Sequence, residues 1–415
     1  VNYNIYQKIF SILNTKRINI IKLLTYNVSF AKIKINNKKE CFPMFTKIVV
    51  LIMSLVITFT TTFGLNFVAP AEDAEEIKNV VILIGDGMGF NHLYSTEKVH
   101  GVELDILNRM EYYGEQKTRS ASSLVTDSAA GGTALATGHR TMNGYVGVYP
   151  TDPLAVFAVP ASITDVAMKY GKSTGIVTSD SIMGATPASF SAHVRDRDLD
   201  KDIFAQQAVS EIDLIWGAYS SVVTEEEVNA NDKVYVNTLS EVKALEEGEK
   251  SIGQFDGDTL WRGKDNGDQP TLSELAAEAI DILSKDEDGF FMMLEGAHID
   301  KRSHDKDGEG AMIAALEFDR AVSAVLDFAE KDGNTLVIIT ADHETGSVTL
   351  QKDGTYKWTS GSHSGVNVPC FVYGCDSFIE DGEVIDNIDI PTMAVAYMTS
   401  NEQYFPCPLS YLNEE

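Results

Sequence analysis

The chain has 415 residues, of which 44% are hydrophobic and 9% aromatic, and 33 basic residues face 61 acidic ones for a formal charge of −28. Such a surface repels phosphate backbones and anionic lipid, which argues against nucleic acid or an anionic membrane as partner. The length is enough for one large domain with a substantial core.

Residues 1–43 are rich in Asn, Ile and Lys, with one Pro and no Gly. They read as an upstream over-call or a disordered leader. Met44 opens a different pattern: Lys47 as a short basic segment, an apolar run from Ile48 to Ile57, then Ala69-Pro70-Ala71 as a small-x-small site. Residues 44–71 therefore read as a signal peptide cleaved after Ala71, with a secreted or periplasmic product. Thr58, Thr60, Thr61 and Thr62 interrupt the run before the ~20 apolar residues that a span needs, so no stable membrane insertion is expected after processing. The leader carries nine of the basic residues and one acidic residue, which leaves −36 on residues 72–415. Cys41 departs with it. Cys370, Cys375 and Cys407 remain, an odd number without zinc-binding spacing, and no chemistry is assigned to them.

Beyond the leader, short runs apolar on both faces alternate with amphipathic stretches. Asn79–Ile84, Gly175–Thr178, Phe290–Leu294, Thr335–Ile339 and Val368–Tyr373 read as buried strands; Ser273–Leu283 and Ala311–Ala329 read as helices. This predicts an α/β fold, a three-layer α/β/α sandwich around one large, mostly parallel sheet, in a single domain over 72–415. Residues 220–270, acidic and turn-rich, read as a peripheral excursion.

Between the first two of these strands, Thr126, Asp127 and Ser128 precede a run of small residues ending at Gly138. The pattern predicts a capped helix with Ser128 at or near its N-terminus, where free amides and the dipole favour an anion. Taken alone, an ordinary capped, small-residue helix is the better explanation of the stretch.

The strands share a feature at their C-terminal ends. The first runs into Gly85-Asp86, the third into Glu295 and then His298-Ile299-Asp300, the fourth into Asp342-His343. Ligand sites of open α/β sheets lie beyond such ends. Carboxylates crowded there raise one another's pKa unless a cation joins them, which points to metal. Asp300 and His304 lie four apart, on one face of a helical turn; His363 sits in a Ser/Gly-rich loop. An oxygen-only set from Asp86, Glu295 and a hydroxyl suits Mg²⁺.

The pattern resembles the alkaline phosphatases. The matching stretches are Val81–Gly89, Val125–Ala130, Ala185–Ala188 with Ala192–Arg197, Leu294–Lys301, Thr340–His343 and His363, in family order from about residue 78 to 398. The resemblance implies a zinc-dependent phosphomonoesterase with two Zn²⁺ and one Mg²⁺, acting on phosphate monoesters and inhibited by inorganic phosphate. Asp300, His304 and His363 would hold one zinc; Asp86, Asp342, His343 and the Ser128 oxygen the other. Asp86, Thr186 and Glu295 would hold magnesium. Ser128 is the implied nucleophile, Arg197 the implied phosphate clamp in preference to Arg195, and Lys301 a further catalytic residue. His92, His100, His139, His193 and His298 match no ligand position. A homodimer is one assembly the resemblance allows.

One departure stands out. Gly184 replaces a residue that in the family orders water around magnesium and pairs with the lysine matching Lys301. Lys301 is accordingly expected to be free to reach phosphate, and the magnesium site to lack an outer anchor. Two other functions compete: a phosphodiesterase or sulfatase of the same superfamily, and an exported metal- or phosphate-binding protein without turnover. The Cys/Ser-x-Pro-x-Arg context of sulfatases is absent around Ser128.

Overall fold

A computed structural model describes residues 77–412 apart from 153–155, 265 and 400–404. The leader and its cleavage site lie outside the described residues. None of the described helices is long and apolar enough to cross a membrane.

Ten strands form the main sheet. In chain order they are β1 (Asn79–Gly85), β2 (Tyr112–Lys117), β3 (Ser173–Ser181), β4 (Leu214–Ala218), β5 (Val234–Val236), β6 (Ser251–Phe255), β7 (Phe290–Gly296), β8 (Thr335–Thr340), β9 (Val368–Tyr373) and β10 (Val384–Asp386). Their spatial order is β10-β2-β9-β8-β1-β7-β3-β4-β6-β5. All pairings are parallel except the two made by β9, which runs against both β8 and β2. Residues 220–270 lie at one edge and extend the sheet there, through β5 and β6.

Eight helices matter below: α1 (Phe90–His100), α2 (Ser128–Thr137), α3 (Ile163–Lys169), α4 (Ala185–Ser189), α5 (Leu272–Leu283), α6 (His298–His304), α7 (Gly308–Asp332) and α8 (Asp389–Met398). The alternation of β1 shows how they sandwich the sheet. Val80, Ile82 and Ile84 join the core made with Leu135, Val166, Ala188 and Val395, from α2, α3, α4 and α8. Val81 and Leu83 point the other way, into the core made with Leu275, Ala279, Ala315 and Val322 of α5 and α7. A strand buried on both faces has no use for polar residues, hence its unbroken apolar run. Each of these side chains contributes about 1.5–3 kcal/mol by leaving water.

The register decides where the site lies. Ile84 of β1 pairs with Thr340 of β8 on one side and Glu295 of β7 on the other. Three adjacent parallel strands thus end level, and the residues following each one meet at the same edge. Cys370, Cys375 and Cys407 are all buried free thiols, and burial pushes Cys370 up to about 12.

Candidate metal centre

Helix α2 consists entirely of buried residues, which explains its Ala/Gly composition. Asp127 is its N-cap: one carboxylate oxygen accepts from Ala130 N at 3.0 Å. The other oxygen accepts from Gly144 N at 2.9 Å and from Arg197 Nη1 at 3.3 Å. Ser128 is therefore the first helical residue, only 4% exposed. Its hydroxyl lies 3.1 Å from His343 Nε2.

Close approach makes this possible. A Cβ at Gly131 would lie 3.0 Å from both Asp342 Cβ and the Asp342 carbonyl oxygen, so α2 seats against the β8 exit only with a bare backbone there. Gly87 has φ +72°, and a Cβ on it would fall 2.8 Å from the Asp300 backbone. Its N–H donates to Asp342 Oδ1 at 3.1 Å, tying the β1 exit to the β8 exit.

Two groups of ligand-type side chains result, Asp300 with His304 and His363, and Asp86 with Asp342 and His343. In the first, His304 Nε2 is 3.3 Å and His363 Nε2 is 3.7 Å from the Asp300 carboxylate, and the two Nε2 atoms are 3.0 Å apart. His304 Nδ1 lies 2.9 Å from the Gly361 carbonyl and His363 Nδ1 2.9 Å from that of Thr126. A carbonyl only accepts, so each Nδ1 carries a proton, and the lone pairs of both Nε2 atoms converge. Such an arrangement is repulsive unless a proton or a metal ion lies between. With no metal ion there, the hydrogen bond that His304 donates to Asp300 pushes His304 up to about 9.

In the second group, His343 Nε2 lies 3.2 Å from Asp342 Oδ2 and 3.7 Å from Asp86 Oδ1. Both of those carboxylate oxygens are buried without a hydrogen-bond partner. Thr345 donates to Asp300 and so receives the proton of His343 Nδ1, at 3.2 Å. That leaves the His343 Nε2 lone pair facing Ser128, and burial holds the ring below its usual pKa. Burial and the charges of Asp342 and Asp300 push Asp86 well above the carboxylate range. Burial opposes ionisation of Asp300 too, but His304, His343 and Thr345 outweigh it and hold the group below its usual value.

A third set lies beside Asp86. Glu295 is 1% exposed, receives the Thr178 hydroxyl, and is pushed up to about 8 by burial and then by Asp180. Thr186 Oγ1, at the start of α4, is buried without a well-formed hydrogen bond, although it lies near enough to Glu295 to favour its ionised form. Orphaned oxygens of Asp86, Asp342 and Thr186, in a nest of like charges, fit cations in place.

The structure thus gathers Asp300, His304 and His363 into one group and Asp86, Asp342 and His343, with Ser128 Oγ beside His343, into another. It separates the other histidines. His92 is buried, with Nε2 3.0 Å from Ser303 Oγ, which also receives Trp358 Nε1 at 2.9 Å. His298 stacks on Trp261 at 5.3 Å, His139 on Tyr149 at 4.1 Å, His193 Nδ1 meets the Gly147 carbonyl at 2.6 Å, and His100 lies 3.9 Å from Glu309. Arg195 turns onto the Phe157 ring, 5.2 Å away, whereas Arg197 faces Asp127. One expectation fails: Lys301 is not free, because its Nζ is paired with Asp180. Sequence reasoning also missed Thr345 and Thr178, whose hydroxyls act only through their neighbours.

The family model for alkaline phosphatase matches residues 77–215 and 223–364. The chain belongs to the alkaline phosphatase family. Alkaline phosphatase 4 of Bacillus subtilis is 33% identical over 315 residues, 70% of this chain and 66% of the relative. Alkaline phosphatase of Escherichia coli is 29% identical over 66% of this chain and 72% of its own length. The chain spans 66% and 65% of the two B. subtilis alkaline phosphatases it matches. Among solved structures, a histidine-to-glutamate mutant of TAB5 alkaline phosphatase, with Mg bound in the M3 site, superposes with a TM-score of 0.66. It is 30% identical, over 79% of this chain and 99% of the TAB5 chain. The alkaline phosphatase family is metal-dependent, and the two groups of ligand-type side chains agree with that.

Proposed function

We propose that this alkaline phosphatase family member is an exported phosphoric monoester hydrolase of broad specificity, working through a phosphoserine on Ser128 with two zinc ions and one magnesium ion. The observation that carries the reading is Ser128 Oγ at the start of α2, 3.1 Å from His343 Nε2, beside two separate groups of zinc-type ligands. Asp300, His304 and His363 would hold one zinc, and Asp86, Asp342 and His343, with the Ser128 oxygen, the other. Asp86, Thr186 and Glu295 offer only oxygen, the donor set that suits magnesium. Bound there, the cations would supply Lewis-acid polarisation and neutralise the crowded carboxylates.

The protein's own residues do the rest. The free N–H groups of the α2 start favour negative charge at Ser128 Oγ. Arg197 offers a planar fork for two phosphoryl oxygens, and Asp127 holds that fork beside Ser128. Ser128 Oγ bonds to phosphorus as the bond to the alcohol oxygen breaks, and the serine proton ends on the alcohol. Water then bonds to phosphorus, the Oγ–P bond breaks, Ser128 regains a proton and inorganic phosphate departs. The signal-peptide pattern of residues 44–71 supports export.

Turnover of p-nitrophenyl phosphate compared with its bis-ester and with p-nitrophenyl sulfate tests the assignment. Preference for the monoester by orders of magnitude is expected. A diester or sulfate turned over as fast would favour the competing superfamily reading, and tight phosphate binding without turnover a non-enzymatic role.

A further inference from the structure

Gly184 was expected to leave Lys301 without a partner. The chain solves the problem from four residues upstream. Along β3, Val177 pairs with Trp216 of β4 and Ser181 with Ala218, so four steps on one strand match two on the other. Such a bulge re-aims side chains, here at the end of a strand that borders the site. The Thr178 hydroxyl turns to Glu295, Asp180 N donates back to Thr178 Oγ1 at 2.9 Å, and the Asp180 carboxylate meets Lys301 Nζ. Gly217 makes room: a Cβ there would lie 2.5 Å from the Asp180 carbonyl oxygen.

Where the carboxylate ends up is the decisive point. A Cβ built on Gly184 would fall 2.7 Å from Asp180 Oδ2 and 3.2 Å from its Cγ. The Asp180 carboxylate therefore fills the space in which a side chain at position 184 would begin. Asp180 is also tied to Glu295 through Thr178, whose hydroxyl donates to Glu295 while accepting from Asp180 N at 2.9 Å. The Lys301 ammonium thus pairs with a half-buried carboxylate that is linked through Thr178 to the buried Glu295.

We propose that Asp180 is the positioning residue of the magnesium site: it supplies, through a bulged strand, the outer-shell carboxylate that position 184 lacks, and it holds Lys301 off the substrate. The proposal rests on the function proposed above for the cation set. Lys301 then acts as a charge partner of the site rather than a direct phosphate contact.

The test compares wild type, Asp180→Ala, Asp180→Asn, Gly184→Asp and the double variant Asp180→Ala/Gly184→Asp. The readouts are calorimetric titration of Mg²⁺ into zinc-loaded, magnesium-free protein and inhibition by inorganic phosphate. Loss of such an outer-shell partner costs about 10–100-fold in metal affinity, and that is the drop expected for both Asp180 variants. Phosphate should inhibit both more tightly as Lys301 is released. The double variant should recover most of the magnesium affinity, because the carboxylate returns from the other position. Gly184→Asp alone should bring no gain, since its Cβ collides with the carboxylate already there. If Asp180→Ala does not fold, Asp180→Asn decides. Magnesium affinity unchanged in the variants, or a loss that the double variant leaves unrepaired, overturns the proposal. Failure of wild type to hydrolyse p-nitrophenyl phosphate would instead refute the proposed function while leaving the magnesium titrations readable.

Discussion

His304 and His363 point their Nε2 atoms at each other across 3.0 Å while each Nδ1 is tied to a backbone carbonyl. Facing lone pairs of this kind need a proton or a metal ion between them, and His363 is a ligand-type residue of this group alone, although its ring stacks on His343 of the other at 3.6 Å. Replacing His363 with Ala should therefore lower bound zinc by about one equivalent and leave the Asp86, Asp342 and His343 group loaded. Metal analysis of dialysed protein reads this directly. Retention of full zinc content would remove His363 from the ligand set.

Arg197 hangs on Asp127, which also caps α2. Arg197→Ala should weaken inhibition by phosphate about 10–100-fold, as expected for losing hydrogen bonds to a charged group, with a smaller effect on turnover. Asp127→Ala should do the same through Arg197 and in addition cost about 1 kcal/mol of stability through the lost cap. Phosphate inhibition constants and denaturation curves separate the two effects. An Asp127 variant with unchanged phosphate inhibition would show that the contact is incidental.

Gly131 lets α2 rest on Asp342. Gly131→Val should therefore push Asp342 out of place, costing about 1–3 kcal/mol by overpacking and lowering zinc retention together. Zinc content and urea midpoint are the measurements. A destabilised variant with full metal content would mean that Asp342 moves without loss of its ligand role.

Removal of metal should change the pH dependence of stability. Burial, with Asp180 next, pushes Glu295 up to about 8 in the cation-free protein, and burial, with Asp342 next, likewise raises Asp86. A carboxyl raised on folding binds more protons in the folded state, so its stabilising effect is complete below its unfolded pKa, ~4.3 for Glu, and is lost as pH rises towards about 8. Chelated protein should accordingly melt lower at pH 9 than at pH 6. Metal-loaded protein should lack that decline, because the cations favour the ionised carboxylates. Melting curves that fall equally with and without metal would contradict this.

Much of this site could be read before the fold was known, for physical reasons that differ residue by residue. Asp86, Glu295 and Asp342 come just after runs that are apolar on both faces, so their polarity announces a strand's end. Level register of β1, β7 and β8 then turned three strand ends into one place. Ser128 was marked by the capping residues before it. Strands such as β2 (Tyr112–Lys117) carried no continuous apolar run, and only its partners β9 and β10 make it a strand. Residues 220–270, acidic in sequence, add β5 and β6 to the sheet by pairing that no local pattern encodes. Asp180 was invisible because its direction depends on a bulge. Without the bulge, sequence spacing left Gly184 as an unfilled gap and Lys301 as a free charge.

Labelling tests most directly whether Ser128 Oγ becomes covalently bonded to phosphorus. Protein mixed with labelled phosphate monoester, or with labelled inorganic phosphate, should be quenched in acid within the first turnovers, digested, and its labelled peptide identified. The account predicts label on Ser128 in wild type and none in Ser128→Ala, which should retain its metal yet lose turnover by orders of magnitude. Label on a histidine or an aspartate, or full turnover in Ser128→Ala, would contradict it.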